Sequence, residues 1–179
     1  MWHTLRQIAH IGIITEPAPP CDETLRIAGA LQSHILHVLG RALCIRAIDA
    51  GSCNGCELEM HALGNPIYNM EGLGIRFVAS PRHADLLLIT GPVAKNMELA
   101  VRRTYQATPD PKIVVAIGDC GCTGGVFGES YASCGRVSNV VPVDVAVPGC
   151  PPSPRQILSG ILTAITARDS RPSSRDTPR

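Results

Sequence analysis

From Leu43 onward, short apolar runs alternate with amphipathic stretches, and this alternation constrains the fold more than any other feature of the chain. The candidate strands are 43–48, 75–79, 85–90 and 112–117, with a weaker one at 140–145, and the candidate helices are 56–63, 95–107 and 152–167. Strands separated by helical stretches are typical of a parallel sheet whose strands are joined by crossover helices. The sequence therefore predicts an α/β domain in which helices flank a parallel sheet.

The two ends of the chain differ from this central pattern. The first residues place apolar side chains three apart and then reach a proline-rich stretch at 16–20, which predicts a short helical arm that docks on another surface. A second amphipathic helix is predicted from Asp22 to Gly40, packed against the body or a partner. The expected organisation is an arm and helix at 1–42, an α/β domain at 43–168 and a disordered, proline-containing tail at 169–179.

Composition limits the class of protein. A chain of 179 residues, 45% of them hydrophobic, suffices for one sizeable core. A net charge of +1 and an aromatic content of 3% argue against nucleic acid as a partner. No apolar run approaches the roughly 20 residues that cross a bilayer, and the first residues do not resemble a secretory signal. A cytoplasmic protein without a transmembrane segment is expected, in which the eight cysteines are ligands, reactive thiols or buried side chains rather than disulfides.

Cysteines occur at three separate places in the strand and helix pattern. Cys53 and Cys56 come after the first strand, Cys120 and Cys122 come after the fourth, and Cys150 precedes the last helix. Loops that follow parallel strands gather at the carboxyl edge of the sheet, where such folds build ligand sites. A cubane iron-sulfur cluster takes four cysteine thiolates, and a C-x-x-C pair supplies two of them from one turn. The spacing predicts one four-iron, four-sulfur cluster at this edge, with Cys120 and Cys122 as alternatives for one ligand.

The residues around these cysteines suit the same chemistry. The stretch 118–125 holds four glycines, so a loop is expected whose backbone amides approach the cluster and donate hydrogen bonds to its sulfurs. Pro151 fits the first position of a helix, which predicts that Cys150 lies at the positive end of a helix dipole, where a thiolate is favoured. The other three cysteines are expected to be buried small side chains rather than ligands: Cys21, Cys44 and Cys134.

The residues alone leave two other chemistries open. Cys53 and Cys56 also match a zinc site, although such a site usually brings a second C-x-x-C about 15 to 20 residues later, and the next cysteine here is Cys120. A thiol-disulfide redox pair is the other possibility, and it leaves Cys120 and Cys150 without a role. Glu57 fits the first turn of a helix, where acids are favoured, and it is equally a candidate for moving protons beside the cluster.

Several stretches of the chain resemble one known family. They are 79–88, 97–105, 142–144 and 147–152. Over about residues 43–167 the sequence is similar to the 20 kDa subunit of respiratory complex I and to the small subunits of membrane-bound nickel-iron hydrogenases. The resemblance implies a flavodoxin-like sheet that holds one four-iron, four-sulfur cluster beside a large subunit. It also implies Cys120 as the ligand of the family's C-x-x-x-G-G motif, with Gly124 and Gly125, and Cys150 as the ligand of its Cys-Pro-Pro motif.

The spacing of the first two cysteines departs from the complex I pattern and indicates a subgroup of that family. Complex I subunits have adjacent cysteines at the first ligand position, whereas two residues separate Cys53 from Cys56 here and Glu57 follows. This spacing is similar to that of the energy-converting hydrogenases of the hydrogenase-4, formate hydrogenlyase and carbon-monoxide-linked types. The resemblance thus implies an oxidoreductase subunit that relays electrons between a ferredoxin-like iron-sulfur subunit and a hydrogenase large subunit.

The same resemblance implies a location and an alternative. The complex is expected to include membrane subunits, with this chain bound peripherally on the cytoplasmic side of the inner membrane. If the large subunit lacks nickel and iron, a quinone-reducing assembly of the complex I type is expected instead. In either assembly Glu57 is a hypothesised carrier of protons that move in step with electrons.

Overall fold

Helices and strands alternate through most of the computed structural model, which describes residues 2–11 and 22–169. The helices are α1 (Trp2–Ile11), α2 (Asp22–Leu39), α3 (Gly55–Ala62), α4 (Lys95–Ala107), α5 (Gly118–Thr123) and α6 (Pro154–Asp169). The strands are β1 (Leu43–Asp49), β2 (Ile75–Phe77), β3 (Leu86–Thr90), β4 (Ile113–Ile117) and β5 (Val145–Val147). Short 3-10 turns lie in the connections at Met70–Leu73, Pro81–His83 and Val137–Asn139.

The five strands form one parallel sheet in the order β2-β1-β3-β4-β5. The predicted α/β class, with a parallel sheet flanked by helices, is confirmed. The first four strands and the three helices predicted after Leu43 all form, with ends that differ by one or two residues from the sequence pattern. The short helix α5 was not predicted, because the four glycines of the stretch 118–125 indicated a loop.

The fifth strand lies later in the chain than the sequence indicates. The apolar run at 140–145 predicts a strand, but the amides of Val140 and Val141 donate to the carbonyl of Val137 and complete a turn. Pro142 then has no amide hydrogen for a strand ladder. Pairing with β4 begins only at Val145, so the strand is Val145–Val147.

Helices cover both faces of the sheet, which is why β3 and β4 are buried at every position. On one face Leu31 and Ile35 of α2 are buried together with Ile161 of α6. On the other face Val101 of α4 packs in a second cluster with Val114 of β4. The prediction that α2 packs against the body is confirmed.

The predictions for the two ends of the chain are tested only in part. The predicted arm is helical as α1, and Trp2 and Leu5 are exposed on it, while its docking on another surface stays a prediction. Of the predicted tail at 169–179, all but Asp169 lies outside the described residues. Within 2–11 and 22–169, no helix combines the length and the apolar character required to cross a bilayer.

Candidate metal centre

The connection after β1 places Cys53 and Cys56 on a tight turn. Asp49, the last residue of β1, accepts hydrogen bonds from the amides of Gly51 (2.9 Å) and Ser52 (2.8 Å) and so reverses the chain. Asn54 adopts a left-handed conformation with φ 70°, which asparagine tolerates, and α3 begins at the next residue. Cys53 is exposed and Cys56 is partly buried in the first helical turn.

The segment after β4 is a short helix rather than the expected glycine-rich loop. Gly118 leaves the strand with φ +82°, and helix α5 then carries both Cys120 and Cys122. Gly124 ends the helix in a left-handed conformation that glycine adopts without strain. The glycines therefore bound a helix, which the composition of the stretch 118–125 did not reveal.

Helix α5 separates the two candidate thiols. The Sγ atom of Cys122 donates to the carbonyl oxygen of Ala116 in β4 at 3.7 Å, which turns this thiol toward the sheet. Burial, followed by the negative charge of Asp119, raises the pKa of Cys122 to about 11. The geometry favours Cys120 over Cys122 as the donor available at the edge, as the resemblance implies.

The connection after β5 carries Cys150, and its local structure differs from the prediction. Pro151 does not begin a helix, because α6 begins at Pro154. Ser153 caps that helix instead: its Oγ accepts from the amide of Gln156 at 3.4 Å, while the Gln156 Oε1 accepts from the Ser153 amide at 2.8 Å. Cys150 is exposed and lies before the cap, so the predicted placement at the positive end of the helix dipole is wrong.

Glycines at the edge leave space that is taken by neighbouring cysteine sulfurs. A Cβ atom on Gly118 would lie 2.6 Å from the Sγ of Cys56, and a Cβ atom on Gly125 would lie 2.8 Å from the Sγ of Cys120. A Cβ atom on Gly55 would lie 3.5 Å from the Sγ of Cys53 and 3.9 Å from the ring of Pro151. The three cysteine segments are thus close-packed at one edge of the sheet.

Electrostatic interactions link all four candidate ligands. Burial and then the negative charges of Glu57, Cys53, Cys120 and Cys150 raise the pKa of Cys56 to about 12. The pKa of Cys120 is raised by burial, then by Cys150 and Cys53. A raised pKa favours the protonated thiol, whereas a bound metal favours the thiolate that ligates it.

The donor set suits a four-iron, four-sulfur cluster, which takes one thiolate per iron. The segments that carry the four cysteines pack together at the edge, and Gly118 and Gly125 leave room beside the sulfurs of Cys56 and Cys120. Over the described ranges 2–11 and 22–169, no group of three His, Cys, Asp or Glu side chains stands close enough to hold one metal ion. Ligands to four separate irons are spaced more widely than ligands to a single ion. The identity of the four residues as cluster ligands stays a prediction.

Glu57 lies next to Cys56 and is anchored to the sheet. Its Oε1 accepts a hydrogen bond from the hydroxyl of Thr90, the fully buried last residue of β3. The Thr90 hydroxyl also lies 3.2 Å from the carbonyl oxygen of Ile48 in β1. The Glu57 Oε2 is buried and has no hydrogen-bond partner among the described residues. Reasoning from the sequence missed Thr90, because the contact joins positions 33 apart.

Large apolar side chains are exposed on the same cysteine segments. Leu58 follows Glu57 in α3 and is 62% exposed. Val126 and Phe127 follow the glycine pair after α5 and are 94% and 58% exposed, and Tyr131 is 98% exposed. Exposed apolar groups of this size are typical of protein interfaces.

Comparison with known proteins gives the family. The family described as NADH ubiquinone oxidoreductase, 20 Kd subunit, matches residues 53–164, which include every candidate ligand. The chain belongs to this family. The resemblance inferred from the motifs at 79–88, 142–144 and 147–152 is therefore confirmed.

Individual members of the 20 kDa family are similar over most of the chain. Formate hydrogenlyase subunit 7 of Escherichia coli (strain K12) is 41% identical over 144 residues, which are 80% of this chain but 55% of that protein. The chain thus spans little more than half the length of this relative. A Pyrococcus furiosus protein named "Probable membrane-bound hydrogenase subunit mbhJ" is 47% identical over 127 residues, 71% of this chain and 76% of that protein.

A solved structure supports the same grouping. A chain of the membrane-bound sulfane sulfur reductase, an archaeal respiratory membrane complex, superposes with a TM-score of 0.63 at 33% identity. The superposition covers 76% of this chain and 74% of that chain. These relatives are subunits of oxidoreductases, and two of the three are membrane-bound by name.

Proposed function

We propose that this chain is an electron-relay subunit that holds one four-iron, four-sulfur cluster through Cys53, Cys56, Cys120 and Cys150. The observation that carries the proposal is the close packing of the three segments that hold these cysteines at the carboxyl edge of one parallel sheet. The cluster supplies one-electron chemistry when bound. The chain itself positions the donors on short, close-packed segments.

The proposed partner on this edge is the large subunit of a hydrogenase. The exposed apolar side chains of Leu58, Val126, Phe127 and Tyr131 extend from the cysteine segments and suit burial under another protein. A large subunit seated there lies within electron-transfer reach of the cluster. A ferredoxin-like iron-sulfur subunit is proposed as the second partner, which donates electrons to the cluster of this chain or accepts them from it.

A membrane-associated complex is proposed from the relatives. A hydrogenase relative and the structural relative are membrane-bound by their names, which supports a complex with further membrane subunits. Within it, a peripheral position on the cytoplasmic side of the inner membrane is proposed for this chain. A quinone-reducing assembly of the complex I type is the second candidate, because the matched family is that of an NADH ubiquinone oxidoreductase subunit. The spacing of Cys53 and Cys56 favours the hydrogenase.

Glu57 is proposed to carry protons in step with the electrons. Its Oε2 is buried and lacks a hydrogen-bond partner within the part of the chain that the structure describes, which supports this role because an unpaired carboxylate oxygen can accept a proton. Thr90 holds the other oxygen in place.

Cysteine substitutions test the relay proposal, and Cys122→Ser is a matched control because it lies in the same helix as Cys120. The full chain is purified without oxygen, and its iron, zinc, sulfide and visible absorbance are measured. A brown protein that is bleached by dithionite is expected, and Cys120→Ser should lose most of the iron while Cys122→Ser keeps it. A colourless zinc protein contradicts the proposal, and so does a Cys120→Ser variant with the iron content of wild type.

A further inference from the structure

Asp119, the residue before Cys120, bonds to Gly149, the residue before Cys150. The Asp119 amide donates to the Gly149 carbonyl at 2.9 Å, and the Gly149 amide donates to the Asp119 Oδ1 at 2.8 Å. The two residues thus form a closed ring of two hydrogen bonds. Each member of the ring is covalently adjacent to one proposed cluster ligand.

The ring continues the pairing of β4 with β5 beyond the ends of both strands. Val115 pairs with Val145 and Ile117 with Val147, and Asp119 with Gly149 keeps the same offset of 30 positions. The backbone has by then turned into α5, where the Asp119 carbonyl accepts from the Thr123 hydroxyl at 2.8 Å. The carboxylate therefore supplies the acceptor that a strand carbonyl supplies elsewhere in the ladder.

The same device occurs twice at the opposite edge of the sheet. The Asp144 carboxylate accepts a hydrogen bond from the Val114 amide (2.9 Å), and the Asp144 amide donates to the Val114 carbonyl (2.9 Å). In the same way the Asp85 carboxylate accepts from the Cys44 amide (3.1 Å), and the Asp85 amide donates to the Cys44 carbonyl (2.8 Å). Both aspartates precede the first residue of a strand, so they lie at the amino edge, away from the proposed ligands. Among these three rings, that of Asp119 alone joins two segments that carry proposed ligands.

The ring also places the charge of Asp119 beside two ligand segments. Its carboxylate belongs to the residue before Cys120 and accepts a hydrogen bond from the amide of the residue before Cys150. A fixed negative charge beside a cluster disfavours the addition of an electron, because the reduced cluster is more negative.

We propose that Asp119 is a positioning residue that fixes the separation of Cys120 and Cys150, and that its charge lowers the reduction potential of the cluster held between them. This inference rests on the proposed cluster ligands. It assigns two separable roles to one side chain, because the amide of asparagine keeps the acceptor and removes the charge.

Three variants separate the two roles. In Asp119→Asn the Gly149 amide keeps an acceptor, so iron content should equal that of wild type while the midpoint potential shifts to a more positive value. In Asp119→Ala the ring is lost, so iron should also be released roughly tenfold faster to a chelator, as expected for one charge-assisted hydrogen bond. Asp144→Asn removes the same charge at the far edge, so its potential should match wild type.

Redox titration followed by electron paramagnetic resonance measures the potential in the full chain, and a chelator assay measures the loss of iron. Amide hydrogen exchange at Gly149 gives a further readout that needs no cluster, and protection there should fall in Asp119→Ala. The proposal is overturned if Asp119→Asn has the wild-type potential or if Asp119→Ala holds iron as long as wild type. A wild-type chain that binds no iron overturns the proposed function instead, so the two failures are distinguishable.

Discussion

Gly118→Ala perturbs the proposed centre without removing a ligand. The added Cβ atom lies 2.6 Å from the Cys56 Sγ, well inside van der Waals contact, and the backbone at Gly118 has φ +82°. A left-handed conformation costs an alanine about 1–2 kcal/mol. Overpacking against Cys56 costs about 1–3 kcal/mol more. The free energy of unfolding should therefore fall by about 2–5 kcal/mol, against a typical total of about 5–15 kcal/mol.

To relieve this contact the Cys56 sulfur has to move away from its position at the site. We therefore expect the variant to lose iron while the chain still folds. Gly40→Ala is the matched control: its φ is +61°, and no atom lies within 4 Å of the added Cβ. This control should lose only the backbone contribution of about 1–2 kcal/mol and keep its iron.

Two measurements check the reasoning. Urea unfolding of the cluster-free full chain gives the free energies, and iron per chain after anaerobic reconstitution gives the occupancy. We expect Gly118→Ala to be folded with much less iron than wild type. If Gly118→Ala binds as much iron as wild type, or is destabilised no more than Gly40→Ala, the contact with Cys56 does not constrain the site as argued.

Two further predictions concern acids near the cysteines. Glu57→Gln keeps an oxygen for the Thr90 hydroxyl but cannot carry a proton, so turnover of the whole complex should slow by about 10²-fold at unchanged iron content; unchanged turnover argues against the role. Burial disfavours the charge of Asp49, but amide hydrogen bonds from Ser52 and Gly51 outweigh it and hold its pKa below the ordinary 3.8. The stability that Asp49 contributes is thus present above pH 3.8 and is lost as the pH falls through the lowered folded value, so Asp49→Asn should lose less stability on acidification than wild type. Chemical denaturation near neutral pH and below pH 3.8 checks this, and equal losses in both proteins contradict it.

Local patterns were sufficient to predict the class of fold and the approximate place of the site. The runs at β3 and β4 are continuous and apolar because both faces are buried, so the sequence identifies them as interior parallel strands. Since the strands are parallel, cysteines that follow them had to meet at one edge. The family could also be recognised from the sequence, because motifs such as 147–152 are continuous stretches of the chain.

The tertiary structure decided what depends on contacts between distant positions. It showed that α5 turns Cys122 toward Ala116, that β5 begins only after Pro142, and that α6 begins at Pro154 rather than at Pro151. The ring between Asp119 and Gly149 depends on the register of β4 against β5, which periodicity does not specify. A sequence indicates which residues favour a strand or a helix and which can serve as thiolate ligands. Which residues touch is set by how the elements pack, because one step in register moves every side chain of a strand to the other face.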